Sequence, residues 1–438
     1  MREMKDSGIE WIGMIPSEWN IMRIKNVAWL KGRIGWDGLK ADEFQNDGPY
    51  LITGTDFQNG CVNWDTCVHI TPERYAEDKL LHIKEGDLLI TKDGTIGKLA
   101  IVKNCPDEVS LNSGVMIIRN NSEFKYDDKY MYYVLMSLVF TEWFESEQKP
   151  GSTIKHLYQH QFSEFKFTYP LFAEQLEIAS FLDKKCASID EAISRQKEAI
   201  EKLEYYYTNS ISYILAGLRG DNIIFSVHDF IGKINANRKI VRLKYLLSSP
   251  LKYGANESGC DYDKKLPRYI RITDINNDGT LKNNGMQSLT ESQSRGYIIP
   301  HNTILLARSG ATVGKAFLYK SDYGRAAFAG YLIAAFLDEN KVDPEWLMYY
   351  TKSTFYNNWK ENVFTQATIQ NIGADKYSNL PVILPSMEEQ KKCICEMNEI
   401  TNLIQSAKQR HQQIIEKLEE YKKSLIYNAV TGKIDCRK

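Results

Sequence analysis

The chain repeats itself once, and the length of the repeat decides what it can fold into. Phe172-Ala173-Glu174-Gln175 returns as Met387-Glu388-Glu389-Gln390, and Glu201-Lys202-Leu203-Glu204 returns unchanged as Glu416-Lys417-Leu418-Glu419. Gly94-Thr95-Ile96-Gly97-Lys98 returns one residue longer as Gly310-Ala311-Thr312-Val313-Gly314-Lys315, and Ile52-Thr53-Gly54-Thr55-Asp56 returns as Ile270-Arg271-Ile272-Thr273-Asp274. The copies lie about 215–219 residues apart. Solenoid repeats run roughly 20–50 residues, so this is a duplicated pair of domains that presents one geometry twice.

Two kinds of segment alternate along the chain. Residues 1–170 and 221–383 are mixed, with short apolar runs broken by Gly, Asn and Asp. Asp87–Thr91, Leu99–Val102 and Gly114–Ile118 read as strands, and Thr303–Ala307, Ala316–Tyr319 and Gly330–Ala335 answer them. Each mixed segment then carries one amphipathic helix, over Lys129–Glu147 and Glu345–Asn362.

The other two segments, 171–220 and 384–438, are polar and helical. No proline or glycine interrupts Glu174 to about Leu215, or Glu388 to about Val430. Pro170 and Pro385 precede these stretches, and Gly217 and Gly432 follow where a C-terminal glycine is expected. Each helix of about 40 residues would span roughly 60 Å. Ile189, Ile193, Gln196, Ile200 and Leu203 lie on a heptad seam of the first, and Ile404, His411, Ile415 and Leu418 continue it on the second. Lys408 and Lys422 interrupt the second seam. Gln196 and His411 hold equivalent positions. In an antiparallel pair they would meet as one polar layer that sets register, or else stand as two solvated residues.

Composition narrows the class. The 438 residues suit two to four domains, and 43% hydrophobic content supports real cores. No apolar run approaches the roughly 18 residues of a membrane helix, and no apolar signal region follows the N-terminus, so a soluble cytoplasmic protein is expected. Cys393-x-Cys395 is the tightest cysteine pair and no CxxC pairs with another at zinc spacing, so the eight cysteines read as reduced thiols. Residues 1–170 carry 19 Lys/Arg against 25 Asp/Glu, a net of −6, whereas 221–383 carry 20 against 15, a net of +5. Neither segment has the strongly basic character of a general nucleic-acid binder, so any contact with DNA must rest on local patches.

Those patches are the repeated motifs. Gly310 to Lys315 fails as a phosphate loop, which needs four residues between its glycines and Ser or Thr after the Lys. Here three intervene and Ala316 follows. The pattern reads instead as strand, Gly-rich turn, strand. Lys92, Lys98, Arg308 and Lys315 put a cation at each end of the turn, and Thr95, Ser309 and Thr312 add hydroxyls, a kit for phosphates and base edges. Thr55-Asp56 and Thr273-Asp274 extend it. A second pair is Ser152, Thr153, Lys155 and His156 against Gln366, Thr368, Gln370 and Asn371, built on a shared Thr-Ile core. Asn and Gln pair best with adenine, cations with guanine or phosphate, so these loops would prefer different bases. A plain hairpin with solvated lysines and a plain polar loop are the structural alternatives. No metalloprotease or amino-methyltransferase motif is present and the seven histidines are dispersed, so no catalytic residues and no metal ligands are assigned. The residues alone leave two readings open: a reader of DNA, and a coiled-coil scaffold joining two protein-binding domains without a DNA role.

The whole arrangement resembles the specificity subunit of type I restriction–modification enzymes. The opening Lys5-Asp6-Ser7-Gly8-Ile9-Glu10-Trp11-Ile12-Gly13, with Ile15-Pro16-Ser17-Glu18-Trp19, is similar to that family's start. The close Asn428-Ala429-Val430-Thr431-Gly432-Lys433-Ile434-Asp435 is similar to its end. The first copy of that closing motif, Ser212 to Arg219, departs from it. The resemblance implies an α+β chain: two mixed α/β target-recognition domains, 1–170 and 221–383, with pseudo-two-fold symmetry, joined by two long antiparallel coiled-coil-like helices in 171–220 and 384–438. It implies that each domain reads one half of a bipartite asymmetric site in double-stranded DNA. The helices would set the gap and dock two methyltransferase subunits, with the identical stretches and the Gln175 and Gln390 helix starts as the frame on which those partners dock. S-adenosylmethionine, ATP and Mg would belong to the methyltransferase subunits and to the restriction subunits that join through them.

Overall fold

The computed structural model describes residues 2–33, 39–121, 124–148, 155–276, 279–310, 313–365 and 371–437. The chain divides into two compact units, Met1–Gln196 with Gln413–Lys438, and Lys197–Gln412. Each long helix therefore contributes one stretch to each unit.

Both units are built on the same four antiparallel strands, to which unit 1 adds two more, the first of them joined in parallel. In unit 1 the strands lie in the order Ala28–Gly32, Val115–Asn120, Leu88–Thr91, Leu99–Ile101, extended by Cys61–Val62 and Phe57–Gln58. In unit 2 the order is Lys252–Tyr253, Leu332–Ala335, Thr303–Ala307, Ala316–Tyr319. The register matches row by row: Gly32–Met116–Ile90–Leu99 in unit 1 corresponds to Tyr253–Ile333–Leu306–Ala316 in unit 2. The central strands are buried on both faces, which is why they read as continuous apolar runs. A smaller sheet in each unit holds one parallel pair, Val109–Leu111 with Gln45–Ile52 and Arg268–Ile270 with Ala326–Phe328.

The expected amphipathic helix is two helices in each unit. Unit 1 has Asp128–Met136 and Leu138–Ser146, and unit 2 has Pro344–Tyr350 and Thr354–Thr365. The break falls on equivalent buried serines. Ser137 Oγ donates to the Val134 carbonyl at 2.7 Å and accepts from Val139 N at 3.2 Å. Ser353 Oγ donates to the Tyr350 carbonyl at 2.7 Å and accepts from Tyr356 N at 3.2 Å. Each serine closes one helix and caps the next. Aromatic side chains fill the cores beside these hairpins: Phe140, Trp143, Phe162 and Phe165 in unit 1, Tyr350, Tyr356, Trp359 and Tyr377 in unit 2.

The long helices run Phe172–Ala216 and Met387–Val430, close to the expected bounds, and Gly217 and Gly432 follow with φ of +69° and +71°. At about 1.5 Å per residue each is roughly 66 Å long. Their first turns are clamped by the repeated glutamine. Gln175 accepts from Asp127 N at 2.9 Å and donates to the Pro170 carbonyl at 3.0 Å. Gln390 accepts from Asp343 N at 2.9 Å and donates to the Pro385 carbonyl at 3.1 Å. Both glutamines are 0% exposed. They tie each long helix to the rest of its unit and present no surface to a docking partner, which corrects the expectation that they form part of a partner surface. Two turns on, Tyr133 donates to Asp183 at 2.8 Å and Tyr349 to Asn398 at 2.6 Å, the same bond in both units.

Along the seam Ile189, Ile193, Ile404 and Ile415 are buried, and Gln196, Ile200, Leu203, His411 and Leu418 are partly buried. The two lysines that break the heptad pattern reach across to acids on the facing helix. Lys422 contacts Asp190 at 2.7 Å in unit 1, and Lys408 contacts Glu204 at 2.6 Å in unit 2. The partners are two heptads apart on both helices and run in opposite order, so the antiparallel register is the same in each unit. The expected Gln196–His411 layer would join residues of different units, and neither unit's register specifies it. Among the described residues no helix is long and apolar enough to cross a membrane.

Candidate nucleic-acid interface

The Gly-rich motifs are turns between adjacent antiparallel strands, not phosphate loops opening a helix. Gly97 N donates to the Thr91 carbonyl at 3.0 Å and Gly314 N to the Ala307 carbonyl at 2.9 Å, closing both turns identically. Gly94 and Gly97 have φ of +67° and +83°, Gly310 and Gly314 +78° and +82°. These left-handed positions favour glycine and explain its recurrence.

The second pair of motifs meets the first. Leu157 N donates to the Lys92 carbonyl at 3.0 Å, and Ile372 N donates to the Arg308 carbonyl at 2.8 Å. Ser309 and Asn371 form an antiparallel bridge. In each unit, then, the residue that ends the polar motif is tied to the strand end beside the Gly-rich turn by an equivalent backbone bond.

The side chains on this frame differ from their expected display. In unit 1, Thr95 and Lys98 are exposed at the turn. His156 Nδ1 contacts Asp93, and its ring lies 4.4 Å from that of Tyr158, which is 5.6 Å from His160. Lys155 is paired with Glu145 at 2.6 Å. Lys92 points inward: it is 9% exposed and donates to the Arg33 carbonyl at 3.0 Å. Burial pushes its pKa below the ordinary lysine value. It is a structural lysine in this conformation, contrary to the expectation of a displayed cation.

In unit 2, Ser309 and Lys315 are partly buried, and Arg308 lies with its guanidinium carbon 5.0 Å from the centre of the Tyr253 ring. Asn371 Oδ1 is buried without a hydrogen-bond partner among the described residues. The Thr-Asp pairs split. Thr55 and Thr273 are exposed, but Asp56 and Asp274 are 2% and 4% exposed. Asp56 accepts from Thr53 N at 2.7 Å and from Thr66 Oγ1 at 3.1 Å, and Asp274 accepts from Arg271 N at 2.8 Å and Nη2 at 2.8 Å. Both carboxylates brace a turn from inside, which corrects their assignment as contact residues. Ser152, Thr153, Thr312, Gln366, Thr368 and Gln370 lie outside the described residues.

Sequence reasoning missed Tyr253 and Gly32, which occupy the same row of the sheet beside the cation. Their relation is visible only through strand register. Among the described residues no cluster of three or more His, Cys, Asp or Glu could hold a metal ion.

Against known proteins, the family model described as Type I restriction modification DNA specificity domain matches twice, over residues 16–204 and 210–416. The chain is similar to the type I restriction enzyme MjaVIII specificity subunit of Methanocaldococcus jannaschii, with 23% identity over 436 residues, 96% of this chain and 94% of the relative. It is similar to the EcoBI specificity subunit of Escherichia coli, with 22% identity over 454 residues, 100% of this chain and 90% of the relative. Among solved structures, a chain from work on complex assembly and conformational transition of the type I R-M system shares its fold. The TM-score is 0.64 at 14% identity, covering 96% of this chain and 99% of the other.

Proposed function

This chain belongs to the family of type I restriction–modification DNA specificity proteins, and from that premise we propose that it is the sequence-reading subunit of such a complex. Each unit reads one half of a bipartite, asymmetric site in double-stranded DNA. The paired helices hold the unread gap constant and dock two methyltransferase subunits. Restriction subunits join through those. The chemistry, with its S-adenosylmethionine, ATP and Mg, resides in the partners, and the complex works in the cytoplasm.

One observation carries this reading. The Gly-rich turn and the polar loop are joined by the same backbone bond in both units, Lys92 with Leu157 and Arg308 with Ile372. On that common frame the side chains at matching positions are unlike: His156 beside Asp93 answers Asn371, and Lys92, turned inward, answers Arg308, which lies over Tyr253. A fixed frame with exchanged polar groups is what two different short sequences require of a duplicated reader, because groove edges discriminate bases by donor and acceptor pattern. The scaffold alternative gives no reason for the polar exchange.

The test is selection from a random duplex pool by the full chain assembled with its methyltransferase subunits. Two short conserved blocks separated by a gap of constant length are expected. Enrichment of no sequence, with intact assembly, would favour the scaffold.

A further inference from the structure

The cation beside the Gly-rich turn sits at the same place in both units but points in different directions. The neighbouring strand row differs with it. In unit 1 the row opens with Gly32, paired with Met116. A Cβ built on Gly32 would come within 3.5 Å of the Lys92 Cε and Nζ. With no side chain at position 32, Lys92 lies alongside Gly32 and donates to the Arg33 carbonyl. In unit 2 the row opens with Tyr253, paired with Ile333. The Tyr253 hydroxyl accepts from Ala374 N at 3.0 Å, which fixes the ring beside the turn. The cation there is Arg308, which lies over the ring rather than behind it.

We infer that Tyr253 and Arg308 together form a guanine-reading element of unit 2, and that Gly32 and Lys92 withdraw the corresponding cation from the DNA in unit 1. This rests on the DNA-reading function proposed above. Three features support a base edge rather than a phosphate as the partner of Arg308. Among the described residues its guanidinium has a ring contact and no hydrogen-bond or ion-pair partner, and Nε is left buried without an acceptor. The stacked plane is pre-oriented, so little rotamer freedom is lost when the fork engages. A planar fork presenting two parallel donors matches the O6 and N7 acceptors of guanine in the major groove. Tyr253 is 41% exposed, so the stack is open to a ligand. Lysine could satisfy a phosphate as a point charge, but it lacks the fork.

The experiment measures competition binding of the full chain in complex with its methyltransferase subunits. The probes are the duplex selected by the wild-type complex and its single-base-pair substitutions. Arg308→Ala and Arg308→Lys are both expected to lose about tenfold or more of the discrimination at one guanine in one half-site, with every other position unchanged. Lys92→Met is expected to leave discrimination at every position unchanged. Tyr253→Leu, which keeps the cation but removes its platform, is expected to weaken the same guanine preference. Thermal melting of each variant controls for folding. Full rescue by Arg308→Lys, or a loss spread evenly over all sequences with a reduced salt dependence, would make Arg308 a phosphate contact and overturn the inference. A wild-type complex without any sequence preference would overturn the proposed function instead.

Discussion

Replacing the buried helix-start glutamine in either unit should destabilise that unit alone and by a similar amount. Gln175→Met and Gln390→Met preserve the length and apolar stem of the side chain but remove both polar ends. In unit 1 the change strands Asp127 N and the Pro170 carbonyl, and in unit 2 Asp343 N and the Pro385 carbonyl. A buried group left without a partner costs about 1–3 kcal/mol. With methionine recovering part of the loss through apolar contact, the net is about 2–4 kcal/mol. For a unit of this size that lowers Tm by roughly 4–16 °C. Differential scanning calorimetry of the full chain, with hydrogen exchange to assign the transition, is the assay. Gln390→Glu sharpens it. At neutral pH a carboxylate would face the Pro385 carbonyl with no donor, whereas its protonated form donates again, so the defect should shrink on acidification. A Tm shift under about 1 °C would refute the clamp. If assembly with the methyltransferase subunits were lost while Tm held, the glutamines would be docking residues after all.

Asp128 opens the first helix of the hairpin in unit 1, and burial, reinforced by the neighbouring Asp127, raises its pKa to about 6. The folded state thus holds its proton more tightly than the unfolded state. This group's contribution to stability falls as pH rises between about 4 and 6, and Asp128→Asn should stabilise unit 1 at pH 7 by up to ~2 kcal/mol while flattening that slope. Chemical denaturation at several pH values measures it. Inserting four residues into both long helices lengthens the pair by about 6 Å, nearly two base pairs at about 3.4 Å each. Sites selected by the altered complex should keep both half-sites and widen the gap, and an unaltered gap would refute the helical ruler. Gly432→Ala should destabilise unit 1, because a Cβ there would lie 2.4 Å from Pro16 ring carbons at a φ of +71°. Thermal melting should show a loss of more than ~1 kcal/mol.

Much of the fold was legible because its punctuation is local. Glycine and asparagine clusters bound the strands, and the long helices run from proline to glycine without a break. The helix breaks at Ser137 and Ser353 were not legible. A serine that bonds back to the carbonyl three residues earlier ends a helix without disturbing the apolar period on either side. The repeat marked positions that the backbone does bring together, since Leu157 bonds Lys92 and Ile372 bonds Arg308. It did not locate the display of individual side chains. Asp56 and Asp274 sit three residues after the amides they accept from, a local signal that could have marked them as turn braces. Lys92 and Arg308 look interchangeable in alignment. What separates them is Gly32 against Tyr253 on another strand, and cross-strand register is not written in any short stretch of sequence.

A frame used twice to read two different half-sites, as proposed above, must leave its mark on the methylated sequence. Sequencing of methylated adenines in a host that expresses this chain with its methyltransferase subunit tests it most directly. A single bipartite motif with two dissimilar halves and a gap of constant length is expected. A motif with identical halves, a contiguous motif, or methylation without sequence preference would contradict it.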